Sequence, residues 1–284
     1  MTGTLYIVAT PIGNLEDISQ RALRTLREVD LVACEDTRRT RVLLNHFGIK
    51  TSAVSYHEHN ERARAQQLCK EMLIGRNVAL VSDAGTPLIS DPGFRIVQAA
   101  IEWDIPVVPI PGATALVAAL IASGLPSDKF FFAGFLPARA NARRAKLEEL
   151  RAVPATLVFY EAPHRIAATL EAALEVLGNR RAVVARELTK LHEEIVRGSL
   201  SELTKRFSGD TTARGEIVLV ISGAVDDSTG RAESSSQNLV ERVSELESEG
   251  LDAKTALKQA ARELGIKRAE AYRLLVAQKN RRSK

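Results

Sequence analysis

Val78-Ala79-Leu80-Val81-Ser82-Asp83-Ala84-Gly85-Thr86-Pro87-Leu88-Ile89-Ser90-Asp91-Pro92-Gly93 begins as a short apolar run rich in β-branched residues. It then breaks into a loop with two carboxylates, two glycines and two prolines. A run apolar on both faces suits a parallel strand covered by helices, and such sheets bind ligands beyond the carboxyl ends of their strands. The loop is also readable as a long structural turn, since Gly and Pro punctuate any loop and Asp caps the helix that follows.

Two further stretches repeat the design. Leu5-Tyr6-Ile7-Val8-Ala9 runs into Thr10-Pro11-Ile12-Gly13-Asn14, and Val107-Val108-Pro109-Ile110 runs into Pro111-Gly112-Ala113-Thr114-Ala115. Glycine lets a backbone approach a ligand closely and proline stiffens the flanking chain, so three such strand ends point to one shared pocket.

Around these strands, residues 4–122 alternate apolar runs with helical periodicity, which predicts a doubly wound α/β domain. Ile18, Ala22, Leu23, Leu26 and Val29 are spaced for one helix face. Leu31 to Cys34 reads as a strand ending in Glu35-Asp36-Thr37-Arg38-Arg39. These acids are either site groups or the favourable acids of a helix N-terminus. A strand is expected near Ala53 to His57, which would put His57 and His59 on one face. Helices are expected over Glu61–Leu73 and Phe94–Glu102. The polar connection at Ala122 to Asp128 predicts a boundary between a first domain, 1–122, and a second, smaller α/β domain, 123–224. In the second domain we read strands at Phe130–Phe135, Ala155–Tyr160, Ala182–Ala185 and Glu216–Ser222, helices at Arg139–Arg151 and Arg165–Leu177, and an antiparallel return near Glu193 to Arg197. Residues 225–237 have little to bury and read as a linker. Residues 238–284 read as a basic helical segment with a helix-turn-helix-like pair, the second helix carrying Lys267, Arg268, Arg273 and Lys279.

Composition narrows the function. The chain has 284 residues, 45% hydrophobic and 26% charged, as in a globular protein with room for two cores. The opening Met1-Thr2-Gly3-Thr4 leads straight into a strand, and the longest apolar stretch, near Thr114 to Ala122, is too short to span a bilayer. Cys34 and Cys69 form no disulfide framework or metal spacing. A cytoplasmic protein with no membrane role and no metal is expected. From Arg262 to Lys284 eight Lys/Arg stand against two acids, so this segment carries +6 of a net charge of +4 and the remainder is slightly acidic. A basic end on a near-neutral body suggests a polyanion such as nucleic acid, or simply a solvated tail. No Gly-x-Gly-x-x-Gly, no Gly-x-x-x-x-Gly-Lys-Ser/Thr and no Gly-x-Ser-x-Gly occurs, so dinucleotide folds, P-loops and that hydrolase elbow are unsupported.

Eight motifs in order, from Thr10-Pro11-Ile12-Gly13-Asn14-Leu15 through Glu35-Asp36-Thr37-Arg38, Ser82–Pro87, Asp91-Pro92-Gly93, Pro109–Gly112, Phe159–Arg165 and Arg186–Lys190 to Gly215-Glu216, closely resemble those of the tetrapyrrole-methylase-like superfamily. Within it the chain is similar to the branch that methylates the ribose 2′-oxygen of a cytidine in the decoding region of small-subunit rRNA. The resemblance implies two α/β domains of the class III methyltransferase kind with a cleft between them. It also implies S-adenosylmethionine as cofactor and a homodimer acting on rRNA or an assembled small ribosomal subunit. Carried over by position, Pro11, Gly13, Asp83, Ala84, Gly85, Thr86, Pro87, Gly112, Ala113, Thr114, Tyr160, Glu161, Gly215 and Glu216 would hold the cofactor. Glu35, Asp36, Glu187 and Lys190 are candidates for catalysis: a carboxylate to accept a proton, Lys190 to orient a hydroxyl or, with a depressed pKa, to accept it. Glu187 reads equally as an ion-pair partner of Arg186. Arg38, Arg39, Arg143, Arg144, Arg165, Arg186, Arg268 and Arg273 are the expected RNA contacts. Two rivals remain: a methyltransferase of this fold acting on a tetrapyrrole or modified amino acid, and a non-catalytic nucleic-acid-binding module.

Overall fold

The computed structural model describes residues 2–208, 215–224, 239, 242–248, 250–263 and 271. It divides into two compact units, Met1–Gly223 and Ala224–Lys284.

The larger unit holds two five-stranded sheets. The first contains β1 (Leu5–Val8), β2 (Leu31–Cys34), β3 (Ala53–Ser55), β4 (Val78–Val81) and β5 (Val107–Ile110), in the order β3-β2-β4-β1-β5 with every pairing parallel. Its centre is β4, whose four residues are all buried because helices cover both faces. On one face α1 (Gln20–Glu28) and α2 (Thr37–His46) bury Leu23, Leu26 and Leu44 against Val8, Val32 and Val81. On the other, α3 (Glu61–Leu73) and α4 (Phe94–Glu102) bury Leu68, Met72 and Ile96 against Leu5 and Leu80. Local chemistry starts the helices: Ser19 accepts from the N–H of Ala22 ahead of α1, and Asp36 accepts from the N–H of Arg38 ahead of α2.

The second sheet contains β6 (Phe130–Phe135), β7 (Thr156–Glu161), β8 (Arg181–Arg186), β9 (Glu194–Ser199) and β10 (Ile217–Ile221), in the order β6-β7-β10-β8-β9. Only β6 and β7 run parallel; the expected antiparallel return is β9, paired with β8. The helices α6 (Ala140–Leu150), α7 (Ile166–Leu177) and α8 (Leu200–Phe207) cover one face around Leu147, Phe159, Leu170 and Leu203. The other face is covered by α5 (Ala115–Ser123). It follows β5 of the first sheet yet packs Leu116, Ala119 and Leu120 on Val158, Val183 and Val218 of the second. Ile12, from the loop after β1, joins that same cluster. The loops of one sheet thus complete the core of the other.

Sequence and structure differ in places. Strand β3 stops at Ser55, and the Asn60 side chain accepts from the N–H of His57, so His57 and His59 lie in a turn rather than on a strand face. The Gly/Pro loop after β5 runs as far as Thr114, where helix α5 begins. Helix α8 was not anticipated, although Ser199 and Glu202 form a reciprocal capping box at its start.

In the smaller unit, Leu239, Val243 and Leu246 cluster with Ala256, Leu257 and Ala260 of the helix Ala253–Glu263, and Arg242 pairs with Glu263 at 2.7 Å. Of the expected second helix only Ala271 is described, buried in the same cluster; Arg268 and Arg273 lie outside the described residues.

Phe159, on β7 beside the central strand β10, is fully buried. Truncating it removes packing on both α6 and α7, so Phe159→Ala should destabilise the larger unit by about 3–5 kcal/mol in urea unfolding.

Candidate active site

The strand-end loops of the two sheets meet. Thr10 and Gly85 exchange backbone hydrogen bonds of 2.9 and 3.1 Å, tying the loop after β1 to the loop after β4. The buried Thr10 hydroxyl donates to the carbonyl of Ser82. Thr86 donates to the carbonyl of Ala113 at 3.0 Å and its hydroxyl lies 2.6 Å from that of Thr114, tying in the loop after β5, where Gly112 packs against Ala9. Pro87 is buried behind them. Asp83 accepts from the backbone N–H of Asp36 at 3.1 Å and pairs with Arg39 at 3.3 Å, which brings in the end of β2.

The second sheet contributes the loop after β8. Glu187 accepts from the Lys190 ammonium at 2.8 Å and from the N–H of Glu216 at 3.1 Å, while its own N–H donates to the carbonyl of Glu216. Gly215, at φ +88°, leaves room for this carboxylate: a Cβ there would lie 2.0 Å from Glu187 Oε1. The same loop presses on Gly13, where a Cβ would meet Lys190 Cγ at 2.4 Å and the Leu188 carbonyl at 3.0 Å. Between these loops opens a pocket of about 280 Å³, lined by Thr10, Pro11, Gly13, Asp83, Ala84, Lys190 and Glu216, with Arg39 and the apolar Leu15, Val42 and Leu43 at its side. A larger hollow of about 590 Å³ lies at the start of α3, among Glu58, His59, Asn60, Arg62 and Arg95. It takes nothing from the strand-end loops, so we place the chemistry in the smaller pocket.

The electrostatics sort the candidate groups. Although burial opposes it, the Glu187 and Glu216 carboxylates raise the Lys190 pKa above the ordinary lysine value. Lys190 therefore stays cationic, which favours the orienting role over the proton-accepting one that would need a depressed pKa. The hydrogen bond from Lys190 holds the Glu187 carboxyl below its usual range, and hydrogen bonds from Arg38 do the same for Asp36, which also caps α2. Both are weak bases committed to partners. Glu35 is exposed at the end of β2. Asp91, at the far end of the Ser82–Gly93 loop, behaves oppositely: burial pushes its pKa to about 6, aided by Glu35, Asp83 and Glu216 and opposed by a hydrogen bond from Ser82. In the sequence it is visible only as part of the Asp91-Pro92-Gly93 motif.

Tyr160 packs edge-on against Phe132 and Phe135, with ring centroids 4.9 and 5.6 Å away. Burial raises its pKa, opposed by the Leu116 N–H at the start of α5. The next residue, Glu161, faces the other side of the sheet. Its side chain is wholly buried and takes hydrogen bonds from Thr169 and from the N–H of Ala162, with Arg165 at 3.2 Å. It is a core group, not a lining group.

Among the expected RNA contacts, only Arg38 and Arg39 of the described residues stand exposed beside the pocket, at the start of α2. Arg143 is buried and donates to the carbonyl of Ala138. Arg144 pairs with Glu175 on the helix layer, on the sheet face opposite α5. Arg165 is taken up by Glu161 and the carbonyl of Leu136, and Arg186 pairs across β8 and β9 with Glu194 at 2.6 Å. These four serve the fold where they stand. Among the described residues no group of His, Cys, Asp and Glu could hold a metal ion, and no helix is long and apolar enough to cross a membrane.

Residues 4–204 match the tetrapyrrole (corrin/porphyrin) methylases. The chain belongs to that family. It is 49% identical to "Ribosomal RNA small subunit methyltransferase I" of Halalkalibacterium halodurans over 275 residues, covering 96% of this chain and 94% of that protein. It is 48% identical to the protein of the same name from Synechocystis sp., covering 96% and 97%. Among solved structures, uroporphyrin-III C-methyltransferase from Thermus thermophilus, complexed with S-adenyl homocysteine, matches with a TM-score of 0.54 and 20% identity. That match covers 78% of this chain and 97% of the other and shows a shared fold. The family assignment makes the protein a methyltransferase with the class III two-sheet architecture.

The Glu187 clasp is directly testable. Gly215→Ala forces a side chain into a left-handed backbone and against Glu187, and should cost about 1–3 kcal/mol in urea unfolding. Ala substituted at Gly48, which has open space around it, provides a comparison with left-handed strain alone.

Proposed function

We propose that the protein transfers a methyl group from S-adenosylmethionine to the ribose 2′-oxygen of a cytidine in the decoding region of small-subunit rRNA. The observation that carries the reading is near-50% identity over almost the whole chain to relatives named for small-subunit rRNA methylation, joined to an intact pocket between the two sheets. The residues fit the donor. Asp83 and Glu216 line the pocket beside Arg39 and Lys190, with Glu187, Asp91 and Glu35 near them, so acids outnumber cations where a cationic ligand would be favoured. Gly13 lets the loop after β8 close against the loop after β1, so that Lys190 reaches the pocket wall. When bound, S-adenosylmethionine supplies an electrophilic methyl on a sulfonium.

The chain's own part is placement and charge. Asp83, fixed by the Asp36 N–H and Arg39, presents a carboxylate at the first sheet's edge. Lys190 stays charged and holds the opposite wall through Glu187 and Glu216. Holding a hydroxyl in line with a methyl group supplies much of the rate in such displacements. Arg38 and Arg39 stand where phosphates flanking a target nucleoside would pass, and the exposed Val42 and Leu15 give its base an apolar lip. The basic C-terminal segment adds sequence-independent attraction to RNA. A homodimer belongs to the same reading, supported by the exposed Phe130, Phe131 and Phe135 on the edge strand β6, as does a cytoplasmic location, where ribosomes are made.

The test supplies methyl-labelled S-adenosylmethionine with unmodified small subunits, naked rRNA or a tetrapyrrole precursor, and identifies the product nucleoside by mass. Label on a cytidine 2′-oxygen is the expected result; label on the tetrapyrrole alone overturns the reading. In calorimetry, Asp83→Ala should weaken binding of S-adenosylhomocysteine at least tenfold, about 1.4 kcal/mol. Residues 1–223 alone should bind it as the full chain does, because that unit contains every pocket residue.

A further inference from the structure

We propose that Arg39 is a stand-in cation: it pairs with the pocket carboxylate of Asp83 until the methyl donor takes that carboxylate, and is then released to a phosphate of the RNA. The inference deepens the reading above and rests on it.

Two cations line the pocket, and they are held differently. Lys190 is built in: its ammonium lies 2.8 Å from Glu187 and 3.7 Å from Glu216, and its stem is pressed on Gly13. Arg39 meets Asp83 at 3.3 Å, longer than the roughly 2.7–2.9 Å of a close charge-assisted hydrogen bond. Among the described residues its side chain has no other ion-pair partner, and it is 71% exposed. The neighbouring Arg38 is committed by comparison, since Asp36 accepts from its Nε at 3.2 Å and its Nη2 at 3.1 Å.

The carboxylate is the fixed end of the Arg39 pair. Asp83 Oδ1 accepts from the backbone N–H of Asp36 at 3.1 Å, while Oδ2 faces Arg39. Arg39 stands in the first turn of α2, one turn before Val42 and Leu43, which line the pocket with it. Only side-chain torsions tie its guanidinium to Asp83, so it can leave without movement of the backbone.

Charge dictates the exchange. S-adenosylmethionine carries a sulfonium and an amino group, and a guanidinium left beside them on one carboxylate would be repelled. An exposed pair contributes little to hold it. Once displaced toward solvent, Arg39 presents a planar fork of donors that suits phosphate oxygens. The donor thus frees for RNA a charge that Asp83 otherwise engages. By linkage, donor and RNA each tighten the other's binding by the same factor.

The test measures binding of unmodified small subunits or naked rRNA, whichever accepts methyl, with and without sinefungin, an amine analogue that keeps the donor's positive charge and transfers no methyl. In full-length wild type, sinefungin should tighten RNA binding about fivefold, the scale of one weak ion pair released. In Arg39→Ala that factor should fall to about one, while affinity for sinefungin alone stays level or rises because a competitor for Asp83 has gone. In Asp83→Asn the guanidinium is free from the start, so RNA binding without sinefungin should rise to the level wild type reaches with it. Adding Arg39→Ala should remove that gain. Coupling that survives undiminished in Arg39→Ala overturns the proposal, as does a gain in Asp83→Asn that does not need Arg39. A fall in sinefungin affinity in Arg39→Ala overturns it too, since Arg39 would then support Asp83 rather than compete for it. So does a wild type that binds both ligands without coupling. Wild type that fails to bind sinefungin or RNA would instead defeat the underlying reading.

Discussion

The carboxylate of Glu187 holds the cleft together. It accepts from Lys190 and from the N–H of Glu216, and its residue's backbone N–H returns a bond to the Glu216 carbonyl. These contacts fold the loop after β8 against the start of β10 and press Lys190 onto Gly13, so that one side chain fixes the second sheet's wall and its contact with the first. The Lys190–Glu187 pair is mostly shielded from solvent, which keeps it stronger than the exposed pairs on the helices. Without it, Lys190 and Glu216 would be free to move out of the pocket they line.

Strain is concentrated in the same region. Among the described residues five other than glycine have left-handed backbones; four of them, Leu88, Ser90, Glu187 and Thr189, belong to the two loops that bound the cleft. Each conformation costs of order 1–3 kcal/mol and persists only where its surroundings enforce it. Here the enforcement comes from packing between the sheets: Ile12 and Leu116, carried by the first sheet's loops, are buried in the second sheet's core. Fold and site are coupled through those contacts, and the residues that could relax the loops are the ones that define the pocket.

Much of this was legible in the sequence. The runs at Val78–Val81 and Val107–Ile110 and the helical spacing of Glu61–Leu73 and Phe94–Glu102 correspond to elements with the same bounds. Of the three Gly/Pro strand ends, those after β1 and β4 line the pocket, at the carboxyl edge where parallel sheets take ligands, while that after β5 supports them from behind through Thr86. What failed was orientation. Tyr160 and Glu161 are adjacent on one strand and so point to opposite faces, Tyr160 toward α5 and Glu161 toward Thr169 of α7. Arg143 falls on the stripe of Leu147 and Leu150, a core position that helical spacing alone could have revealed. Arg186 is committed by its pairing opposite Glu194, a cross-strand register that no local pattern states. The raised pKa of Asp91 comes first from burial, with Glu35 and Glu216, remote in sequence, adding to it, and could emerge only once both sheets were in place.

The central claim is that loops from both sheets form one binding site, and hydrogen exchange with and without S-adenosylhomocysteine tests it most directly. The account predicts slowed exchange in residues 10–15, 83–86 and 112–114 of the first sheet together with 187–190 and 215–216 of the second. Protection confined to the loops of one sheet would contradict it.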